Sequence, residues 1–244
     1  PMNIIKLNAT ASTNTFLKEL VIETNLENLT VVTTRNQFQG KGQRGNGWQA
    51  EEGKNLTFSV FLKDFISRYN DLFLLNIIVP LCILKALKKM TVSDVSIKWP
   101  NDILSGNKKV AGILVENLFK GNGEVYSIIG VGLNVNQEKF ENLPQASSLK
   151  NVTGQEFVIE DVLDAILKEM TVFFSEDFSV DEEEIWNEYH KFLFRKGVPT
   201  VFETPNQRKF MGIILEVNRE GKLCIQLEDD SIRTFDLKEV KMYY

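Results

Sequence analysis

Three apolar, β-branched runs, VSIKW (95–99), KVAGILVE (109–116) and VYSIIGVGLNV (125–135), follow one another with little between them but the turn signals PND, SGN and KGNG. Runs of this kind, bounded by Gly, Asn, Asp and Pro, commit the middle of the chain to strands. LTVVTT (29–34) and LTFSVFL (56–62) read the same way, and NIIKL (3–7) as a short strand. Ser12 or Thr13 is placed to cap a helix that carries Phe16, Leu17, Leu20 and Val21 at helical spacing. A long helix is predicted from about Asp71 to Lys89, with Pro80 either kinking it or dividing it. Two more are predicted at roughly 160–175 and 181–194. Asp181 to Glu184 reads as a helix start favoured by the macrodipole rather than as a metal site. From Gly197 the texture changes to short, closely spaced strands. These predict a small all-β barrel of about 50 residues, docked on the rest because it is too small to be very stable alone.

Composition removes several function classes. The chain has 244 residues, of which 43% are hydrophobic and 25% charged, which suits one sizeable core and a small appended domain. Its most apolar stretch, Leu72 to Leu87, contains Asn76, Pro80 and Lys85. It falls short of the roughly 20 apolar residues that cross a bilayer, so no membrane association is expected. No export signal is visible, and a cytoplasmic location is expected. Pro1 reads as a remnant or a trimmed end. The net charge of −5 provides no basic surface for nucleic acid. Cys82 and Cys224 read as buried reduced thiols rather than a disulfide or metal pair. A single histidine, His190, argues against both a zinc site and a Ser-His-Asp triad. The chemistry must then rest on lysines, arginine, carboxylates, backbone amides and an external metal ion.

Four constellations can carry such chemistry. In QFQGKGQRGNGW (37–48), Gly40, Gly42, Gly45 and Gly47 alternate with Lys41, Gln43, Arg44 and Asn46. Glycines allow backbone N–H groups close to a ligand while the side chains between them supply cations and amides. Neither helix nor strand is favoured there, and a flexible surface loop is the plain alternative. In KWPND (98–102), Lys98 and Asp102 flank a rigid Trp-Pro pair, either as a structural ion pair or as a cation beside a base. In KKVAGILVE (108–116), Lys109 opens an apolar strand that Gly112 interrupts, as at a bulge or a site of close packing. GVGLNVN (130–136) ends in Asn134 and Asn136, whose amides both donate and accept.

Taken in order, STN (12–14), GKGQRGNGW (40–48), KWPND, KVAGILVE and GVGLNVN closely resemble the motif series of biotin–protein ligases. The resemblance spans about residues 3 to 190, and the β-rich tail is similar to that family's SH3-like C-terminal domain. It implies an α+β fold. Residues 1–194 would form a class II aminoacyl-tRNA-synthetase-like catalytic domain, a mixed sheet flanked by helices. Residues 195–244 would form an SH3-like β-barrel. The implied reaction joins biotin to ATP as biotinoyl-5′-AMP, with Mg²⁺, then transfers biotin to a lysine of a biotin carboxyl carrier protein. The two anionic reactants demand cations, which Lys41, Arg44, Lys98 and Lys109 can supply.

Carried over by motif, the resemblance gives Lys98, Asp102, Lys109 and Arg44 catalytic roles, with Asp102 orienting or deprotonating the incoming lysine. It places Ser12, Thr13, Asn14, Gln37, Gly40, Lys41, Lys109, Gly112 and Gly130 around biotin. Gln43, Arg44, Trp48, Asn101, Gly132 and Asn134 fall on the nucleotide side, Gly130 and Gly132 leaving room for ligand and Trp48 packing over the closed loop. No protein metal ligand is assigned. One departure stands out: many relatives carry an arginine, associated with retaining the adenylate, where this chain has Gln43. Arg44 or Lys109 is expected to cover part of the loss. The helix-turn-helix domain of some relatives finds no room before a strand at Asn3, so a monofunctional enzyme without DNA binding is expected. A homodimer is an open option. The rival readings are a lipoate or octanoate transferase of the same fold, a catalytically idle biotin sensor, and an α/β domain with an SH3-like binding module.

Overall fold

A computed structural model describes residues 2–63, 65–66, 71, 73–121, 123–175 and 181–244; the side chain of Arg44 lies outside the described set. The main sheet has seven strands: β1 (Ile4–Thr10), β2 (Val31–Gln37), β5 (Leu56–Leu62), β6 (Val95–Lys98), β7 (Asp102–Ser105), β8 (Lys108–Phe119) and β9 (Val125–Leu133). Their order is β1-β2-β5-β9-β8-β7-β6. Only β1 and β2 run parallel, joined by helix α1 (Thr13–Glu23); every other neighbouring pair is antiparallel. The mixed sheet is therefore present as expected. All residues of β5 are buried, because helices cover both faces at that point.

On one face α1 packs Leu17 and Val21 against Val32, Phe61 and Ile128. Ser12 is the cap that starts this helix, its Oγ accepting from Thr15 N at 3.4 Å. The other face carries α2 (Leu75–Lys89) and α4 (Ile159–Phe174), with α5 (Glu182–Lys191) also against α2 and α3 (Leu149–Thr153) a single short helix. Helix α2 is continuous through Pro80, so the proline does not divide it into two segments. Eleven of its fifteen residues are buried. At roughly 1.5–3 kcal/mol for each fully buried large apolar side chain, that packing outweighs the ~3 kcal/mol an interior proline costs. Asp181 caps α5 and Glu182 to Glu184 fill its first turn, so the acidic run is a helix start. Cys82 and Cys224 are buried free thiols. Among the described residues no helix is long and apolar enough to cross a membrane.

The C-terminal unit is a five-stranded antiparallel sheet of β10 (Pro199–Glu203), β11 (Lys209–Val217), β12 (Leu223–Leu227), β13 (Ile232–Phe235) and β14 (Lys241–Tyr243). Its edges, β13 and β14, are only four and three residues long and do not pair. The unit is thus an open SH3-like sheet rather than a closed barrel. It is docked on the larger unit as predicted: Trp99 Nε1 donates to Gly221 O at 2.9 Å, and Phe202, Ile214, Val217 and Leu223 belong to the same buried cluster as α2. His190 of α5 bonds through Nε2 to the backbone of Val217, 2.8 Å from its oxygen and 3.1 Å from its nitrogen. Burial lowers the pKa of this imidazole below the ordinary histidine value.

Candidate active site

One transverse row of paired residues runs across all seven strands: Leu7, Thr34, Thr57, Gly132, Gly112, Asp102 and Lys98. Directly paired residues project to the same face of a sheet. The two glycines therefore open a trough in the floor, with a carboxylate and an ammonium at one end. A cleft of about 240 Å³ lies over this trough, walled by the start of α1 and by the 41–48 loop.

The register of β8 aims Lys109 into that cleft. Asp102 faces Gly112 and Ile103 faces Ala111, but Leu104 faces Lys109, which leaves Val110 as an extra residue. This bulge turns Lys109 and Gly112 toward the same side. Lys109 Nζ then reaches Asp102 Oδ1 at 2.7 Å, while Lys98 Nζ stands 3.6 Å from Asp102 Oδ2. The backbone of Lys109 is clamped as well: its N–H donates to Gln145 O at 2.7 Å and its carbonyl accepts from Ser147 N at 2.9 Å.

The floor of the opposite end of the cleft is lined by uncharged hydrogen-bonding side chains. Gln37 Oε1 accepts from Thr13 N at 2.9 Å. Buried Ser59 lies 2.7 Å from Thr13 Oγ1 and also bonds Asn14 Oδ1. The Asn14 amide rests on Gly130, where an added Cβ would fall 2.3 Å from Asn14 Oδ1. Lys41 donates to Thr15 Oγ1 at 3.0 Å from the rim.

The glycine-rich loop is more regular than its composition suggests. Gly40–Lys41 (β3) pairs with Gly47–Trp48 (β4), and a 3₁₀ turn at Gln43–Gly45 closes the hairpin. Gly40 is required by close approach, since a Cβ there would lie 2.3 Å from Trp48 O. The Trp48 indole lies in the glycine trough: a Cβ at Gly132 would fall 2.2 Å from its ring, and one at Gly112 would fall 3.1 Å away. Its buried Nε1 has no hydrogen-bond partner among the described residues. The space above Gly132 is thus filled by the protein's own tryptophan, and that above Gly130 by Asn14.

Ser12, Thr13, Asn14, Gln37, Lys41 and Gln43 line this cleft together with Trp48, Asn101, Asp102, Lys109, Gly112, Gly130 and Gly132. Three expected residues stand elsewhere. Asn134 is buried with Nδ2 bonded to Ser147 O at 2.9 Å, where it braces the segment that clamps Lys109. Gly40 contributes backbone pairing to the hairpin. Lys98 opens on a neighbouring cavity of about 520 Å³, shared with Lys238, Lys241 and Tyr244 of the C-terminal unit. Asn101 is on the lining but its Nδ2 is committed to Ile113 O at 2.7 Å. The Arg44 side chain lies outside the described residues.

Several participants escaped the sequence reading. Ser59 is one of two hydroxyl residues, with Thr57, in an otherwise apolar strand, and Glu116 the one carboxylate in Lys108–Phe119, so both carried a usable signal. Tyr244 carried none: Lys98 Nζ lies 5.4 Å from its ring centre, and burial together with the Asp102 charge pushes its phenol pKa up. Among the described residues no cluster of three or more His, Cys, Asp or Glu is placed to hold a metal ion.

A sequence model of the biotin/lipoate A/B protein ligase family matches residues 7–134. The chain is 26% identical over 210 residues to the bifunctional ligase/repressor BirA of Bacillus spizizenii, covering 82% of this chain and 62% of that protein. It is 24% identical over 200 residues to the biotin–[acetyl-CoA-carboxylase] ligase of Mycobacterium tuberculosis, covering 81% and 73%. The fold superimposes on the biotin protein ligase of Aquifex aeolicus in complex with biotin and ATP, with a TM-score of 0.76 and 26% identity over 99% of this chain and 98% of the other.

Proposed function

This chain belongs to the biotin/lipoate A/B protein ligase family, and on that premise we propose that it is an ATP-dependent biotin–protein ligase acting on a carrier protein of a biotin-dependent carboxylase. The observation that carries this reading is the asymmetry of the cleft. A neutral hydrogen-bonding end at Thr13, Asn14 and Gln37 lies across the glycine trough from Asp102 and Lys109. A ligand with a polar ring at one end and a carboxylate at the other suits that arrangement. A linear lipoyl or octanoyl chain would leave the polar end unpaired, at a cost of roughly 1–3 kcal/mol for each unsatisfied group.

In the first step Lys109 offsets the charge of the biotin carboxylate as it attacks the α-phosphate of ATP. A mixed anhydride, biotinoyl-5′-AMP, and pyrophosphate result. Trp48 must leave the trough for the ligand to lie there. In the second step the amine of a carrier lysine attacks the anhydride carbonyl, and AMP leaves. Asp102, already holding Lys98 and Lys109, orients that amine or takes its proton. Among the described residues the cleft contributes one carboxylate, Asp102, and it is occupied by two lysines. Magnesium is therefore best supplied with the nucleotide, held by phosphate oxygens.

Incubating the protein with biotin, ATP, Mg²⁺ and a biotin-carrier domain, then weighing the carrier, tests the proposal. A gain of one biotinoyl group is expected. No gain with biotin, or a gain with lipoate instead, overturns it.

A further inference from the structure

Glu116 closes the KVAGILVE motif within β8, outside the cleft yet tied to it. Its Oε2 accepts from Asn14 Nδ2 at 2.8 Å, and its Oε1 pairs with Lys18 of α1. An ionised carboxylate can only accept, so the Asn14 NH₂ must face it and the Asn14 carbonyl must face away. That carbonyl meets Ser59 Oγ. Ser59 has one proton, Asn14 Oδ1 has none, and so the serine proton lies in that bond. Ser59 Oγ is also 2.7 Å from Thr13 Oγ1. With the serine proton committed, the threonine hydroxyl must donate in that second contact. Thr13 lines the cleft, and its lone pairs are then what it offers there. Gln37 Oε1 takes the Thr13 backbone N–H at 2.9 Å, and at 3.3 Å from Thr13 Oγ1 it is the weaker of the two acceptors for the hydroxyl proton, which the 2.7 Å contact draws to Ser59.

We infer that Glu116, paired with Lys18, is a positioning residue that fixes the direction of a hydrogen-bond relay through Asn14 and Ser59 to Thr13, so that Thr13 presents an acceptor to an N–H group of the ligand ring. The inference rests on the biotin-ligase reading, in which a cyclic urea supplies such N–H groups. Burial pushes the Glu116 pKa up, but hydrogen bonds from Lys18 and Asn14 and the charges of Lys18 and Lys41 outweigh it, holding the carboxyl below its ordinary range. The relay therefore keeps one direction at neutral pH. Glutamine at this position could donate as well as accept, and the direction would be lost.

Calorimetric titration of wild type, Glu116→Gln and Ser59→Ala with three ligands tests this. The ligands are biotin and the two isosteric cyclic carbamates in which a ring oxygen replaces one ureido N–H. Wild type is expected to prefer biotin over one carbamate by about tenfold, the upper end for a net hydrogen bond. Both variants should bind biotin more weakly and lose that preference, with ATP binding unchanged. Unaltered biotin affinity in Glu116→Gln overturns the inference. So does weaker binding that keeps the wild-type preference, since a purely structural role would weaken both ligands alike. Ser59→Ala cuts the relay while leaving the ion pair, which keeps the test readable if Glu116→Gln folds poorly. Wild type that binds no biotin overturns the ligase reading itself, and the inference with it.

Discussion

Asp102 accepts a hydrogen bond from Lys109 at 2.7 Å across the floor of the cleft, and its second oxygen stands 3.6 Å from Lys98. Replacing it by asparagine keeps the shape and removes the charge that orients both lysines. A hydrogen bond to a charged group contributes roughly 1.5–3 kcal/mol, so carrier biotinylation by Asp102→Asn should fall on the order of tenfold to a hundredfold. Lys109→Ala should lose a similar factor in biotin-dependent pyrophosphate exchange, which isolates the first step. Initial rates with melting temperatures as controls check both. Near wild-type rates in Asp102→Asn would remove the carboxylate from the chemistry.

Gln43 lines the cleft at a position where the resemblance leads to an expectation of arginine. A guanidinium binds phosphate bidentately and a carboxamide does not. Gln43→Arg should therefore slow release of preformed adenylate by about tenfold, the scale of one charge-assisted bond. Following labelled adenylate through a desalting chase gives the two rates; their equality would show that position 43 does not hold the intermediate.

Trp48 rests on Gly132 so closely that a single methyl group would fall 2.2 Å from its ring. Gly132→Ala should expel the indole into water. In a Trp99→Phe, Trp186→Phe background only Trp48 emits, since the chain has three tryptophans. The alanine variant should then shift emission to longer wavelength without any ligand. An unmoved spectrum would mean that the hairpin yields and carries the ring with it.

His190 gives the junction between the two units a pH dependence. Its folded pKa is depressed by burial, so the fold prefers the neutral ring while the unfolded chain titrates near 6.5. Between those values the unfolded state binds more protons. Stability from this group is complete above about pH 6.5 and is lost as pH falls toward the folded pKa. Urea midpoints compared at about pH 7.5 and pH 5.5 should show a drop that His190→Gln reduces. A drop of the same size in both proteins would assign the effect to carboxylates instead.

Much of the fold was legible because its periodicities are local. LTFSVFL coincides with β5, and the helix predicted at roughly 160–175 matches α4 within a residue at each end. What escaped depended on partners distant in sequence. The strand Asp102–Ser105 is four residues between two turns, too short to show a pattern. Two-residue β3 and β4 exist only because Gly40 can lie against Trp48. The motifs named most of the cleft lining, yet Asn134 turned inward to brace the segment 145–147, and Lys98 opened on the second cavity. Which way an amide or ammonium points is decided by neighbours that spacing cannot reveal. Glu116 is the plainest case, since its role is visible only through Asn14 and Ser59.

The extra residue in β8 makes the position of Lys109 a matter of parity. Were Val110 taken into a regular ladder instead of bulging out, Lys109 would stand three places from Gly112 and its ammonium would swing to the opposite face of the sheet, with every motif residue still present. A chain could then keep all the side chains of this cleft and still lack its central cation, so the pairing register of this strand decides competence as much as residue identity does.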